Sequence, residues 1–392
     1  MTGPNFDEII DRRNTDSLKY DFAQKRGKPE GILPLWVADM DFRAPQCVLD
    51  ALAEKNRHGI FGYSETKSDY FDALHNWFAP RFGWDIRPEW LVKAPGVVVA
   101  VSAAIRALTN EGDAVLIQQP VYYPFAESIL ANNRKPVVNQ LLYEDGRYAI
   151  SFADFEEKIS REKVKLFILC SPHNPVGRVW TREELRRLGD ICARHGVLVA
   201  ADEIHADFTY DGHQHHVFSA VRPEFADFTV TCTSPTKTFN LAGLQISNIF
   251  IPNGGLKRKF RAELIRAGFS QSNIMGLVAG RAAYQGGAGW LADLRLYLAG
   301  NLGFLRAYLG ENIPRIRLVE PEGTYLAWLD CAGLGLDDKA LDDLMVNRAR
   351  LWLDAGTMFG AGGGGFQRIN IACPREVLKT ALERLKQAAG DG

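Results

Sequence analysis

The chain has 392 residues, 46% of them hydrophobic, which suffices for two compact domains at about 150 to 200 residues each. Lys plus Arg is 46 and Asp plus Glu is 47, so the net charge of -1 offers no surplus for nucleic acid. No stretch approaches the roughly 18 apolar residues of a membrane span, residues 1–30 lack a signal-peptide core, and the six cysteines form no C-x-x-C pair; a soluble cytoplasmic protein with no metal and no membrane partner is expected.

Residues 1–44 carry little periodicity of their own and are assigned, with 285–392, to a small domain; 45–284 form the expected large domain. A helix is predicted over 98–109, entered after Gly96 and followed by Gly112. Short apolar, β-branched runs bounded by turn residues follow at 114–118, 165–170, 197–201, 228–232 and 248–251. Such uninterrupted runs are the pattern of a parallel sheet buried on both faces. Between the second and third runs, 181–194 reads as a helix. Thr181 caps it, Glu184 completes a capping box, Leu185, Leu188 and Cys192 share one face, and Gly196 lies beyond its end. After 285 come a long helix over 290–309, alternating runs at 315–319, 324–329 and 366–371, and a last helix over 375–389 with Val377, Leu378, Ala381, Leu382 and Leu385 at helical spacing. The expected fold class is α/β: a large domain with a mostly parallel central sheet flanked by helices, plus a smaller α+β domain.

Gly360, Gly362 and Gly365 satisfy G-x-G-x-x-G, but a dinucleotide fingerprint must open a helix, and this run leads into the alternating residues 366–371. The loop at 211–216 holds three histidines without a carboxylate or cysteine at ligand spacing, and is read as a polar loop. The stronger constellation lies at strand ends. The runs ending near Cys170, Ala201 and Cys232 lead into Asn174, into Asp202 and His205, and into Lys237. In an open α/β sheet, ligands bind beyond the carboxyl ends of the strands, so these residues, distant in sequence, are expected to converge.

Those residues carry a resemblance. PLWVADMDF at 34–42, FGY at 61–63, PVYYP at 120–124, PHNP at 172–175, DEIH at 202–205, SPTKTFNLAGLQ at 234–245 and FQRIN at 366–370 stand in the order found in the fold-type I pyridoxal 5′-phosphate (PLP) enzymes. The chain resembles the aminotransferase class I/II superfamily, and within it the MalY/PatB cystathionine β-lyase branch, over essentially its whole length. The resemblance implies that Lys237 condenses with the cofactor aldehyde and later moves the Cα proton, and that Asp202 keeps the pyridine nitrogen protonated. By the same resemblance Asn174 bonds the phenolate oxygen, Tyr122 stacks on the ring, and the phosphate sits on the N–H groups of Val97 and Val98 at a helix start. Ser234 and Thr236 would add hydroxyl donors. Arg368 would hold the substrate carboxylate in a bidentate pair, with Asn174, Ala38 and Asp39 also touching substrate. Trp36, Tyr63 and Tyr123 would line the side-chain pocket. Tyr63 is similar to a tyrosine that reaches the phosphate of the neighbouring subunit, which implies a homodimer with shared active sites.

Two positions depart from aminotransferases: Gln245 stands where those enzymes carry a phosphate-binding Arg, and His205 where many carry a Tyr on the phenolate oxygen. Both match the β-lyase branch. The expected activity is therefore PLP-dependent cleavage of L-cystathionine or a related cysteine S-conjugate to pyruvate, ammonia and a thiol; the alternative is an aminotransferase of an aromatic or sulfur amino acid.

Overall fold

Strands rich in apolar residues need cover on both faces, and here they form the buried centre of a seven-stranded sheet packed between helices. The computed structural model describes residues 3–390. In chain order the strands are β1 (Leu91–Ala94), β2 (Ala114–Gln119), β3 (Lys135–Gln140), β4 (Leu166–Cys170), β5 (Leu198–Asp202), β6 (Thr229–Thr233) and β7 (Ser247–Phe250). Across the sheet they run β1-β7-β6-β5-β4-β2-β3. All run one way except β7, which is antiparallel to both its neighbours. The two strands without a sequence signal, β1 and β3, are the edges. An edge strand is paired on one side only, so β3 can carry Lys135, Pro136, Asn139 and Gln140.

Register fixes where the loops begin. Cys170 lies opposite Asp202, and Asp202 opposite Cys232, so the chain leaves three adjacent strands at one level of the sheet. The helix Val97–Leu108 starts from the extended Gly96. The helix Arg182–His195 has the full capping box between Thr181 and Glu184.

The last third builds a four-stranded antiparallel sheet: β8 (Arg317–Val319), β9 (Leu326–Asp330), β10 (Asp354–Ala355) and β11 (Phe366–Asn370), in the order β8-β9-β11-β10. The two-residue β10 is too short to leave a periodic signal, yet it puts Asp354 opposite Arg368. The long helix Ala288–Asn312 and the last helix Arg375–Ala389 share one apolar cluster with this sheet, including Leu305, Ile369 and Leu382. Residues 33–34 pair in parallel with Leu351–Trp352, and the Asn370 amide donates to the carbonyls of Val37 and Asp39 at 2.8 and 2.7 Å. These contacts lay the N-terminal segment along the small sheet.

The glycine run leads into β11 rather than into a helix. Gly360 has φ +92, a backbone conformation that favours glycine, and packs against the Gln119 side chain at the end of β2. The neighbouring Ala361 N–H donates to Gln119 Oε1 at 2.9 Å, and Val121 N–H to the Phe359 carbonyl at 3.0 Å.

Candidate active site

The loops leaving β4, β5 and β6 share a cleft with the inner edge of the small sheet. Asp202 ends β5 and is buried, its carboxylate accepting one protein hydrogen bond, from Ile204 N–H at 3.1 Å. Burial raises its carboxyl to a pKa of about 7; the Ile204 N–H and then the charge of Lys237 oppose that rise. Lys237 sits on the single helical turn Pro235–Thr238, whose N-cap, Ser234, accepts from Thr236 N–H at 3.1 Å. The lysine is partly open to the cleft. Its Nζ donates to the carbonyl of Ala38 at 2.7 Å, a bond from ammonium to main chain rather than to a carboxylate. Desolvation lowers its pKa to about 8, against the field of Asp39, which acts to raise it.

Ala38 thus takes a role different from substrate contact alone. Its carbonyl also accepts from the Tyr325 hydroxyl at 3.0 Å, so one main-chain oxygen gathers the lysine and a buried tyrosine. Tyr325 was not singled out in the sequence; the EGTY turn before an alternating strand is the only hint it leaves. Asp39 is held by Arg12 at 2.7 Å, and Asp41 by Arg12 at 2.7 Å and Lys19 at 2.9 Å, with Lys19 wholly buried. This ionic knot in the N-terminal segment fixes the strap that bears Ala38.

Arg368, on β11, is buried and meets Asn174 Oδ1 through Nη1 at 2.9 Å, the Trp36 carbonyl through Nη2 at 2.8 Å, and Asp354 in an ion pair. Its Nε is buried with no partner. Asp354, a second residue the sequence reading missed, is an acid in the otherwise apolar stretch Leu351–Asp354; a buried acid calls for a cation. Burial raises its pKa, and Arg368 opposes the rise. Tyr122 N–H donates to the Asn174 carbonyl at 3.0 Å, tying the expected stacking residue to the same turn. His205 is buried, edge-on to Tyr325 with ring centres 5.8 Å apart, and burial takes its pKa down to about 3, so it is a neutral imidazole.

Other expected residues sit differently. Val97 and Val98 open their helix with no side chain capping the first-turn N–H groups, Val97 buried and Val98 exposed. A Cβ at Gly96 would meet nothing within 4 Å, so the space in front of those donors is open. The hydroxyls of Ser234 and Thr236 lie 2.7 Å apart, and Ser234 donates to the Ile246 carbonyl at 2.6 Å, so an anion there would have to exchange these bonds. Tyr63 stands apart from this chain's cleft, 98% exposed. Gln245 is exposed.

The model of the aminotransferase class I and II family matches residues 30–385. The chain belongs to that family. Within this family it is similar to cystathionine beta-lyase PatB of Bacillus subtilis, at 44% identity over 98% of this chain and 99% of that protein, and to protein MalY of Escherichia coli, at 34% over 98% of each. Among solved structures, cystalysin from Treponema denticola, which contains a pyridoxal 5′-phosphate cofactor, superposes with a TM-score of 0.95 at 36% identity over 98% of both chains. The family fold is thus spanned end to end.

Proposed function

We propose that this protein is a PLP-dependent carbon–sulfur β-lyase that cleaves L-cystathionine or a related cysteine S-conjugate to pyruvate, ammonia and a thiol. The observation that carries the reading is the pairing of an unmet acid with an unmet base: among the described residues, Asp202 and Lys237 are enclosed in one cleft with no ion-pair partner within 4.0 Å. A buried carboxylate in that state calls for a cation, and a protonated pyridine nitrogen is one. The uncapped helix start at Val97, with open space before it, suits a phosphate dianion, and the orphaned Nε of Arg368 suits a carboxylate. The residues present therefore fit PLP. The naming of PatB as a cystathionine beta-lyase supports the choice of reaction.

When bound, the cofactor supplies an aldehyde that takes up the substrate amine and a ring that accepts the electron pair released at Cα. Arg368, fixed by Asp354 and Asn174, would orient the substrate through its α-carboxylate. Lys237, lowered to about 8, would take the Cα proton as a base and return a proton to the departing sulfur as an acid. Asp202 would hold a proton on the ring nitrogen, and neutral His205 would place no cation beside the phenolate oxygen. Overall the Cα–H and Cβ–S bonds break, the thiol leaves with a proton, and water converts the remaining three-carbon fragment to pyruvate and ammonia.

The test is pyruvate release from L-cystathionine without any added 2-oxo acid. Wild type should release pyruvate and a free thiol in equal amounts, and Lys237→Ala should lose at least about a thousandfold in rate, since base and cofactor attachment go together. Pyruvate release surviving in Lys237→Ala would overturn the assignment. Amino transfer to 2-oxoglutarate with no thiol released would make the protein an aminotransferase instead.

A further inference from the structure

Two cations near the site, Arg26 and Lys28, are not used by the mechanism. The short helical turn Gln24–Arg26, closed by Gly27 at φ +69, puts Arg26 and Lys28 over two indoles beside the site. The Arg26 guanidinium lies 5.5 Å from the ring centre of Trp36, and Lys28 Nζ 5.9 Å from that of Trp352. Those two indoles stack on each other at 4.4 Å and 10°. The stack is joined directly to the carboxylate-binding end of the cleft: the Trp36 carbonyl accepts from Arg368, and Asp354, two residues after Trp352, is the ion-pair partner of Arg368. The charge of Arg26 reaches the Tyr123 hydroxyl, and that of Lys28 reaches Asp354.

Other cations around the site are spent. Arg12, Lys19, Arg178 and Arg368 each have a carboxylate at ion-pair distance, whereas among the described residues neither Arg26 nor Lys28 has one within 4.0 Å. An aromatic face holds a cation in place without neutralising it. The acidic groups that bear on this region are Asp354, already paired, and Glu127, which faces Tyr123.

Resting on the lyase reading above, we propose that Arg26 and Lys28 form a distal anion subsite, selecting cysteine S-conjugates whose leaving thiol carries its own carboxylate. Such a substrate carries a carboxylate at each end. Its α-carboxylate meets Arg368, its thioether crosses the aromatic wall of Trp36 and Tyr123, and its distal carboxylate meets the pair on the indole stack.

The variant Arg26→Gln/Lys28→Gln tests this in the holoenzyme. Pyruvate kinetics on S-carboxymethyl-L-cysteine, acidic in the leaving group, are compared with those on S-ethyl-L-cysteine, which is neutral there. The acidic-over-neutral ratio of kcat/KM should fall roughly tenfold, through KM, because two exposed ion pairs are lost. A binding measurement stands beside it: quenching of tryptophan fluorescence by the unreactive dicarboxylate 3,3′-thiodipropionate should weaken roughly tenfold in the variant, and in wild type should weaken with added salt. An unchanged ratio together with unchanged quenching would overturn the distal subsite while pyruvate release keeps the lyase reading intact. No pyruvate from any conjugate in wild type would sink the lyase reading, and the fluorescence titration would still decide whether the subsite binds a dicarboxylate.

Discussion

At the scale of single residues, the site is defined by what burial does to charge. His173, beside Asn174, donates from Nε2 to the Pro120 carbonyl at 2.9 Å while its other ring nitrogen is buried without a partner. Burial lowers its pKa from 6.5 to about 4. Between those values the unfolded chain binds a proton that the folded protein does not, so this group's stabilisation is complete above pH 6.5 and is lost as pH falls toward 4. His205, lowered to about 3, acts in the same direction. Denaturant midpoints should therefore drop between pH 7 and pH 5, and His173→Gln should flatten that drop; an equally steep fall in the variant would show that this histidine is not its source. That Asn174, Asp202 and Lys237 gather in one cleft was legible because polar residues at strand ends stand out in the letters, whereas Arg368, in mid-strand, was singled out only through its motif. The acceptor for Lys237 was not legible, since it is a main-chain oxygen and any residue at position 38 would offer one.

Elements position these residues, and the tie between the two sheets is ionic. Glu322, in the turn before β9, accepts from Arg178 Nε and Val179 N–H, both at 2.9 Å, and from Arg147 at 2.8 Å. Although burial pushes its pKa up, the pairing with Arg178 holds it below the ordinary carboxylate value. Arg178 closes the loop that carries Asn174, through the His173 N–H bond to its carbonyl at 2.8 Å. Glu322→Ala would take one of two carboxylates from the buried Arg178, leaving it Glu184, and would strip the Val179 N–H of its acceptor; it should cost about 2 to 3 kcal/mol in urea unfolding. Thr181→Ala, which removes only a helix cap, should cost about 1 kcal/mol. Near-equal losses would mean that Glu322 is a surface pair in effect. The central strands and the capped helix were readable from apolar runs and a capping box. The edge strands β1 and β3 and the two-residue β10 were not, because one-sided pairing relaxes the demand for apolar residues and two residues show no period.

At the scale of the whole molecule, the surface leaves part of its own chemistry facing outward. Ile60 is 65% exposed, Phe61 55% and Tyr63 98%, and Phe61 and Tyr63 border a groove of about 700 Å³ with Phe269 and Met275. Exposed apolar groups gathered in one patch mark an interface. We propose a homodimer in which Tyr63 completes the partner's phosphate site, and a division of each chain into 45–284 and the remainder. Light scattering should give about twice the 43.7 kDa chain mass. Tyr63→Phe should keep that mass but release the cofactor about tenfold more readily, as expected for one hydrogen bond to a charged group. A monomer, or unchanged retention, would remove the shared site. The strap bearing Ala38 has a consequence for synthesis. It emerges from the ribosome among the first residues, braced early by Arg12 and Lys19, yet two groups that seat it on the small sheet, Tyr325 and Asn370, are among the last. A nascent chain can thus assemble the strands around Asp202 and Lys237 before the strap has all its partners, and the seat of the Lys237 amine is complete when both ends of the chain meet.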